Sequence, residues 1–497
     1  ENVASHGNSS PHPSPPPSRA RELAFLTQYV SAMLELNGRK VLVLGLGDTG
    51  LSMARWLARH GAIVSVADSR KEPPRAGELR RELPAVALEC GEFRDASLRA
   101  ADLIAISPGV DRRAPAVADA IKRGTPVVGD IEFFAQALAQ RLTPHTSRLT
   151  PRILGITGTN GKSTVTRMAG DMCAAAGLDT VVAGNIGMPV LDALSEIESG
   201  RVMPAAFVLE LSSFQLESTA GLSTDAAAML NLSPDHLDRY DDIDAYTAAK
   251  ARVFAGGGAQ VLNRDDARST AMALPERAVY RFGLDAPQGE REWGIAQRDG
   301  RQWLAHGAEK LMAVEELPVA GLHNAANALA AGALARAIGI ADAPIAAALR
   351  DFKGLPHRVE RVGAVGEVVF YDDSKGTNVG ATVAALRGFA QPVVLIAGGD
   401  GKGQDFGPLR EPVARHARAV VLIGRDREQI AAALDGCGVP CERAADMEQA
   451  VRMALAASRS GDAVLLSPAC ASFDMFKSYS HRGAVFADAV RKQVAGG

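Results

Sequence analysis

The sequence predicts an α/β protein with three domains, each built on a mainly parallel sheet. Short apolar runs alternate with helical patterns from residue 39 to the C-terminus, and this alternation is typical of parallel sheets that bind ligands at the carboxyl ends of their strands. With 497 residues, the chain is also too long for a single core, so two to four domains are expected.

Composition excludes several classes of function. The formal net charge of −3 and an aromatic content of 5% disfavour a nucleic-acid partner. No apolar stretch reaches about 18 residues, so no membrane insertion is expected. Five scattered cysteines are typical of reduced thiols, and we expect a cytoplasmic protein. Residues 1–37 begin with a Ser- and Pro-rich stretch and are predicted to be a disordered tail.

The first domain is predicted to span residues 38–147 and to be Rossmann-like. A strand at 39–44 leads into a glycine-rich turn and a helix, and the next strand ends at Asp68. This pattern places a phosphate at a helix N-terminus and an acid near a ribose. Alone it would suggest NAD, although it suits any nucleotide diphosphate. Strands at 103–107 and 126–128 continue the sheet, and residues 141–151 read as a linker.

The central domain, residues 148–354, is predicted to resemble P-loop ATPases. A strand at 152–156 and a helix at 163–176 flank the loop Gly-Ile-Thr-Gly-Thr-Asn-Gly-Lys-Ser-Thr at 155–164. Its N–H groups would converge on an anion. Lys162 would reach the outer phosphates, and Ser163 would hold Mg²⁺. The spacing departs from the strict P-loop, because Ile156 stands where that pattern has glycine.

Other polar groups follow the strands of this domain. Glu210 ends a strand at 206–211, where a magnesium ligand or a helix cap is expected. A strand at 226–232 runs into an acidic and amide-rich loop that carries His236. Lys250 lies in a predicted helix at 241–255, and its spacing alone predicts a solvated side chain. The motif His-Asn-Ala-Ala-Asn at 323–327 opens a helix to about residue 339 and indicates ligand contact at a domain seam.

The last domain, residues 355–497, follows a hinge at 355–358 and is again Rossmann-like. Strands are predicted at 368–371, 393–397, 419–423 and 463–466. Three of them end in polar loops, two of which carry Lys375 and Lys402. Cationic and hydroxyl groups at strand ends suit a small anionic substrate.

Several motifs, in this order along the chain, resemble those of the Mur ligases of peptidoglycan synthesis. They are Gly-Thr-Asn-Gly-Lys-Ser at 158–163, Glu-Leu-Ser-Ser-Phe-Gln at 210–215, Asn-Leu-Ser-Pro-Asp-His at 231–236, His-Asn-Ala-Ala-Asn at 323–327, Leu-Pro-His-Arg at 355–358, Asp-Ser-Lys-Gly-Thr-Asn at 373–378 and Leu-Ser-Pro-Ala-Cys-Ala-Ser at 466–472. The last three resemble the members that add D-glutamate to UDP-N-acetylmuramoyl-L-alanine. The Asp-Asn-Pro-Arg motif of the diaminopimelate-adding members is absent.

The resemblance implies an ATP-dependent, magnesium-dependent amide ligase that forms an acyl phosphate, acts on small molecules and is a monomer. It implies a catalytic set of Lys162, Glu210, His236 and Lys250. The implied metal ligands are Ser163, Glu210, His236 and Lys250, the lysine as a carbamate, since a carbamate offers the oxygen donors that Mg²⁺ prefers.

The resemblance also implies three substrate sites. The ATP site comprises Gly158, Thr159, Asn160, Gly161, Lys162, Ser163, Thr164, Asn324 and Arg358. The UDP-substrate site comprises Gly47, Asp48, Thr49, Gly50, Asp68, Arg70, Asn185 and His236. The D-glutamate site comprises Thr377, Lys402, Ser472, Phe473 and Tyr479, the last standing where a phenylalanine is expected.

Three other functions compete with this one. A related amide ligase, either another Mur enzyme or a folylpolyglutamate synthase, would share the ATP centre and differ in the loops of the last domain. A NAD-dependent dehydrogenase would use only the first glycine-rich turn. A nucleotide-binding switch without catalysis would show no substrate-dependent phosphate release.

Overall fold

The computed structural model describes residues 35–141, 150–236, 238–319 and 321–496 and contains three sheets. Most of the predicted tail, residues 1–34, lies outside the described residues, as do positions 142–149 of the predicted linker. The three-sheet α/β prediction is confirmed. Within the described ranges, no helix combines the length and the apolar character needed to cross a membrane.

The first sheet has the strand order β3-β2-β1-β4-β5, and all its pairings are parallel. Its strands are β1 (Lys40–Leu44), β2 (Ile63–Asp68), β3 (Ala87–Cys90), β4 (Leu103–Ile106) and β5 (Val127–Val128). The helices of this region are α1 (Asp48–Arg59), α2 (Ala76–Glu82), α3 (Asp95–Ala100), α4 (Pro115–Lys122) and α5 (Asp130–Arg141).

The second sheet has the order β14-β13-β12-β11-β10-β9-β6-β8-β7. Its strands are β6 (Arg152–Thr157), β7 (Thr180–Gly184), β8 (Ala206–Glu210), β9 (Ala226–Met229), β10 (Ala259–Asn263), β11 (Val279–Phe282), β12 (Glu292–Arg298), β13 (Arg301–His306) and β14 (Glu309–Ala313). Its helices are α6 (Lys162–Ala175), α7 (Val190–Glu198), α8 (Ser213–Glu217), α9 (Ile243–Ala251), α10 (Ala267–Thr270), α11 (Leu322–Ala337) and α12 (Asp342–Asp351).

The third sheet has the order β15-β16-β20-β17-β18-β19 and is parallel except for β15. Its strands are β15 (Glu360–Val365), β16 (Val368–Asp372), β17 (Val393–Gly398), β18 (Ala417–Ile423), β19 (Cys441–Arg443) and β20 (Ala463–Leu466). Its helices are α13 (Val379–Arg387), α14 (Arg410–His416), α15 (Arg427–Leu434), α16 (Met447–Ala457) and α17 (Tyr479–Gly496).

One hydrophobic cluster joins the first two sheets through α5. Phe133 contacts Trp56 of α1 with ring centroids 5.7 Å apart, and Phe134 meets Phe207 of β8 edge-on at 5.0 Å. All four rings are buried in the same cluster. The third sheet instead packs its two faces in clusters of its own. The first two sheets therefore share a core that the third does not.

The structure corrects several predicted elements. The strand predicted at 226–232 ends at Met229, because the Asn231 side chain exchanges hydrogen bonds with Asn160 of the glycine-rich loop at 155–164. We call this loop the phosphate loop. The helix predicted at 241–255 spans Ile243–Ala251 and continues as one 3₁₀ turn. The antiparallel strands β12–β14 and β15 were not predicted. The hairpin between β12 and β13 turns at Asp299 and Gly300, both at positive φ, which is a recognised hairpin signal.

Candidate active site

The phosphate loop lies between β6 and α6 and is held by the end of β9. Gly158 and Gly161 have φ values of 153° and 83°, which glycine adopts without strain. The backbone N–H groups of Thr159 and Asn160 donate to the carbonyl and side-chain oxygens of Asn231, each at 2.8 Å. A Cβ on Gly161 would lie 2.4 Å from Asn327 Oδ1. The loop therefore has a fixed shape that requires glycine at position 161.

Two lysines meet on this loop. Lys162 Nζ donates to the Gly158 carbonyl at 2.9 Å, and Lys250 Nζ donates to the same oxygen at 2.8 Å. Lys250 is 1% exposed, so the solvated side chain predicted from its spacing is wrong. Burial lowers the pKa of Lys162, and burial together with the charge of Lys162 holds the pKa of Lys250 well below its ordinary value. Both effects make the Lys250 amine easier to deprotonate than that of an exposed lysine.

Glu210 lies at the end of β8, beside the loop. Asn185 Nδ2 donates to Glu210 Oε1 at 2.9 Å. Glu210 Oε2 is buried and has no hydrogen-bond partner among the described residues. A buried carboxylate oxygen without a partner suits a hard cation, because Mg²⁺ prefers oxygen ligands. These residues therefore fit a bound magnesium ion.

A cavity at the seam between the second and third sheets contains many of the predicted ATP residues. Asn160, Gly161, Thr164, Asn324 and Arg358 all line it. Arg358 Nη2 donates to Ser163 Oγ at 2.7 Å, so a side chain from the predicted hinge reaches the first turn of α6. Gly158, Thr159 and Lys162 complete the loop behind this cavity.

A second contact crosses the same seam. The side-chain amides of Asn160 and Asn378 exchange hydrogen bonds of 3.3 Å and 3.1 Å, and Asn378 Nδ2 also lies 3.3 Å from Asp235 Oδ2. Asn378 is in addition the N-cap of α13, because its Oδ1 accepts from the Ala381 N–H at 2.9 Å. One side chain therefore joins the third domain to the phosphate loop.

The predicted UDP residues surround a separate cavity at the first sheet. It is lined by Gly47, Asp48, Thr49, Asp68, Arg70 and Asn185. Gly50 stands behind the turn, where a Cβ would lie 1.8 Å from the Gly45 carbonyl oxygen. Arg70 donates to both carboxylate oxygens of Asp68, at 2.8 Å and 2.6 Å. Asn185 thus borders this cavity and also holds Glu210.

His236 does not line the UDP cavity. It has a φ of 56° and borders a cavity that also contains Lys402, between the second and third sheets. The ring of Phe214 packs edge-on against the His236 ring, with centroids 4.8 Å apart. Burial lowers the pKa of His236. The structure therefore places His236 beside the third domain.

The other predicted D-glutamate residues lie on neighbouring loops and, for Tyr479, at the first position of α17. Lys375 Nζ sits 3.8 Å above the centre of the Tyr479 ring, and Ser374 Oγ donates to the Tyr479 carbonyl at 2.8 Å. Thr377 follows on the same loop. Ser472 is buried. Phe473 is 75% exposed, so its ring does not enclose the predicted D-glutamate site in this conformation.

Arg482 ties these loops together and was missed from the sequence. It is fully buried and donates to the carbonyls of Ser374, Cys470 and Ala471 at 2.8–3.3 Å. No local pattern marks an arginine in α17 as a clamp, because three of its partners are backbone carbonyls and its side-chain partner, the Ser374 hydroxyl, lies 108 residues away in sequence. Asn378 was also missed as a contact, although its place before α13 is a helix-cap signal.

Three family models match successive parts of the chain. They are the Mur ligase MurD-like N-terminal domain at residues 39–129, the Mur ligase middle domain at 156–335 and the Mur ligase glutamate ligase domain at 357–470. The chain belongs to the Mur ligase family.

Curated relatives of this Mur ligase carry the name UDP-N-acetylmuramoylalanine--D-glutamate ligase. The protein from Thiobacillus denitrificans is 58% identical over 471 residues, which is 93% of this chain and 98% of the relative. The protein from Methylobacillus flagellatus is 56% identical, over 92% of this chain and 98% of the relative.

Solved structures share the fold of this Mur ligase. MurC from Thermotoga maritima, a UDP-N-acetylmuramate-alanine ligase, matches with a TM-score of 0.57 at 18% identity. The match covers 91% of this chain and 99% of the MurC chain. Folylpolyglutamate synthase from Mycobacterium tuberculosis has a TM-score of 0.52 at 17% identity, over 71% of this chain and 95% of its own. At these identities the likeness extends to the fold alone.

Proposed function

We propose that this Mur ligase adds D-glutamate to UDP-N-acetylmuramoyl-L-alanine in peptidoglycan precursor synthesis and converts ATP to ADP and phosphate. The observation that carries the proposal is the meeting of the phosphate loop, Glu210 and buried Lys250 at one point. Asn185, which donates to Glu210, also lines the cavity at the first sheet, and a further cavity lies between the second and third sheets beside His236. This chain matches curated relatives over almost their whole length, and the names of those relatives support the same reaction.

The chemistry requires activation of a carboxylate. The alanyl carboxylate is a poor electrophile, so its oxygen attacks the γ-phosphorus of ATP to give an acyl phosphate and ADP. The amine of D-glutamate, after loss of a proton to a base, then attacks the acyl carbon, and the tetrahedral intermediate releases a second proton and collapses to the amide and phosphate. Lys162, whose amine lies on the phosphate loop, would neutralise the charge that develops on the phosphate oxygens.

Magnesium, when bound, would supply charge neutralisation for the phosphoryl transfer. We assign Ser163 and Glu210 to one ion and His236 and Lys250 to a second. Lys250 would act as a carbamate, which forms when a neutral amine adds to CO₂ and releases a proton. Its burial and lowered pKa favour that neutral amine. Intact mass spectrometry at neutral pH and after acidification tests this, because acid reverses the modification.

The three substrates are assigned to three domains, with boundaries of 38–147, 148–354 and 355–497 and a preceding tail at 1–37. The predicted residue sets given above are assigned to the UDP-linked substrate, ATP and D-glutamate in that order, with His236 assigned to the muramoyl part of the first. Because ATP and D-glutamate belong to different domains, closure about residues 355–358 would assemble the site. X-ray scattering curves that do not change with saturating ATP analogue and UDP-linked substrate would contradict closure. A cytoplasmic monomer is part of the same proposal.

Phosphate release from ATP tests the proposed reaction. The assay contains Mg²⁺ and UDP-N-acetylmuramoyl-L-alanine and compares D-glutamate, L-glutamate and diaminopimelate. Release with D-glutamate alone is expected. Release with another amino acid would retain the ATP centre and overturn the assigned substrate. A folded protein that binds ATP and releases no phosphate with any of the three would contradict the proposed function.

A further inference from the structure

Two arginines join the first and second domains at the edge of the UDP cavity. Arg239 Nη2 donates to the Val110 carbonyl at 3.1 Å, and Arg239 Nε lies 3.5 Å from Asp111 Oδ2. Arg113, from the opposite side, donates to the Asp238 carbonyl at 2.6 Å and lies 3.2 Å from Asp241 Oδ1. Both side chains therefore connect the same two loops, but their surroundings differ.

Arg239 also contacts the aromatic side chain that supports His236. Its guanidinium carbon lies 4.2 Å from the centre of the Phe214 ring, within the range of a cation–π contact. The same Phe214 ring packs edge-on against the His236 ring, with centroids 4.8 Å apart. The Arg239 N–H also donates to the His236 carbonyl at 2.8 Å and closes the turn in which His236 adopts its positive φ. The Arg239 side chain is 14% exposed, whereas that of Arg113 is 45% exposed.

The loop that Arg239 holds belongs to the UDP cavity. Ser107, Gly109 and Val110 line that cavity together with the glycine-rich turn. Ser107 Oγ donates to the Gly45 carbonyl at 3.0 Å, and a Cβ on Gly45 would lie 2.9 Å from Val110 Cγ2. The phosphate-binding turn of the first domain therefore packs directly against the loop whose carbonyl Arg239 binds.

We propose that Arg239 is a positioning residue. Through the Phe214 ring, it holds the His236 ring at a fixed position relative to the UDP cavity. It fixes the distance between the place where the UDP moiety is anchored and the place where the alanyl carboxylate reacts. The proposal rests on the proposed function, because it assigns His236 to the reacting end of the UDP-linked substrate. Arg239 itself touches no reacting atom in this assignment, so its effect must pass through the Phe214 ring.

Steady-state phosphate release in the full chain tests this with Arg239→Ala, Arg239→Lys and Arg113→Ala. We expect Arg239→Ala to lower kcat by roughly 10- to 100-fold, since a displacement of about 1 Å at a reacting group has effects of this size. The affinity for free UDP, measured by calorimetry, should stay within about twofold, the range of an ordinary surface substitution. Arg239→Lys should recover part of kcat, because lysine keeps a cation over the ring. Arg113→Ala, the matched control, should leave kcat within about twofold of wild type.

A double-mutant cycle separates positioning from stability. In the Phe214→Leu background, Arg239→Ala should lower kcat only slightly further, because the ring through which it acts is gone. Multiplicative losses in the double variant, or an Arg239→Ala kcat equal to that of Arg113→Ala, would overturn the proposal. A wild-type chain that releases no phosphate with any amino acid would instead overturn the proposed function. Release with an amino acid other than D-glutamate leaves the same cycle measurable with that amino acid.

Discussion

Replacement of Asn378 by aspartate separates the two roles of this side chain. Aspartate is as good an N-cap as asparagine, so α13 should keep its first turn and the protein its thermal stability. The carboxylate cannot donate, however, and the bonds from Asn378 Nδ2 to Asn160 Oδ1 at 3.1 Å and to Asp235 Oδ2 at 3.3 Å would be lost. The substitution therefore weakens the contact between the third domain and the phosphate loop, and it leaves the N-cap of α13 in place.

The expected effect follows from these two contacts. Two lost hydrogen bonds amount to about 2 kcal/mol. A carboxylate 3.3 Å from that of Asp235 adds a repulsion of up to about 5 kcal/mol at an effective dielectric constant of about 20, part of which relaxes as the side chains separate. A net loss of about 3 kcal/mol corresponds to a roughly 100-fold reduction in the equilibrium constant for docking.

The assay is kcat/KM for D-glutamate, whose proposed site lies on the third domain. We expect Asn378→Asp to lower it roughly 100-fold, and Asn378→Ser, which keeps a cap and adds no charge, to lower it only about 30-fold. The affinity for UDP should be unchanged in both. An aspartate variant with wild-type kcat/KM, or a serine variant worse than the aspartate variant, would refute the reasoning.

Three further predictions concern buried groups. Lys250→Met, which keeps an apolar stem and removes the amine, should lower phosphate release by about 100-fold or more while denaturant unfolding shows no loss of stability; wild-type rates would contradict this. Burial raises the pKa of Asp130 to about 6, so the native state retains this proton after the unfolded chain has lost it. Stability should therefore fall by about 2 kcal/mol as pH rises from 4 to 6, and an Asp130→Asn variant that shows the same loss would be contrary evidence. Gly161→Ala should raise the KM for ATP about 10-fold or more through its clash with Asn327. The matched control Gly177→Ala, at a similar positive φ with no atom near its Cβ, should leave the KM for ATP unchanged. Equal increases in KM would show that backbone strain alone is responsible.

The fold and the loops at strand ends could be predicted because their signals are local. The turn at Gly45 and the phosphate loop are each short motifs between a strand and a helix, and the structure has both. The end of β8 likewise delivers Glu210 beside that loop. Parallel strands bring such ends to one edge of a sheet, so sequence order was enough to place them together.

Burial and long-range contacts could not be predicted in this way. Lys250 is part of an ordinary helical pattern, and only the packing of α9 against the phosphate loop buries its amine. Arg239 and Arg482 bind backbone carbonyls more than ten residues away in sequence, and a carbonyl group leaves no trace in residue identity. The strands β12–β14 were missed although a turn signal at Asp299 and Gly300 was present.

The shared core around α5 divides the molecule into two thermodynamic units. Because Phe133 and Phe134 belong to one cluster with Trp56 and Phe207, the first two domains should unfold in a single cooperative step. The third sheet has its own clusters and should melt as a separate transition. UDP at 100 times its dissociation constant would stabilise the larger unit by about 2.7 kcal/mol. In a calorimeter, nucleotide binding at the first domain would therefore move the transition that contains the ATP loop and leave the other in place.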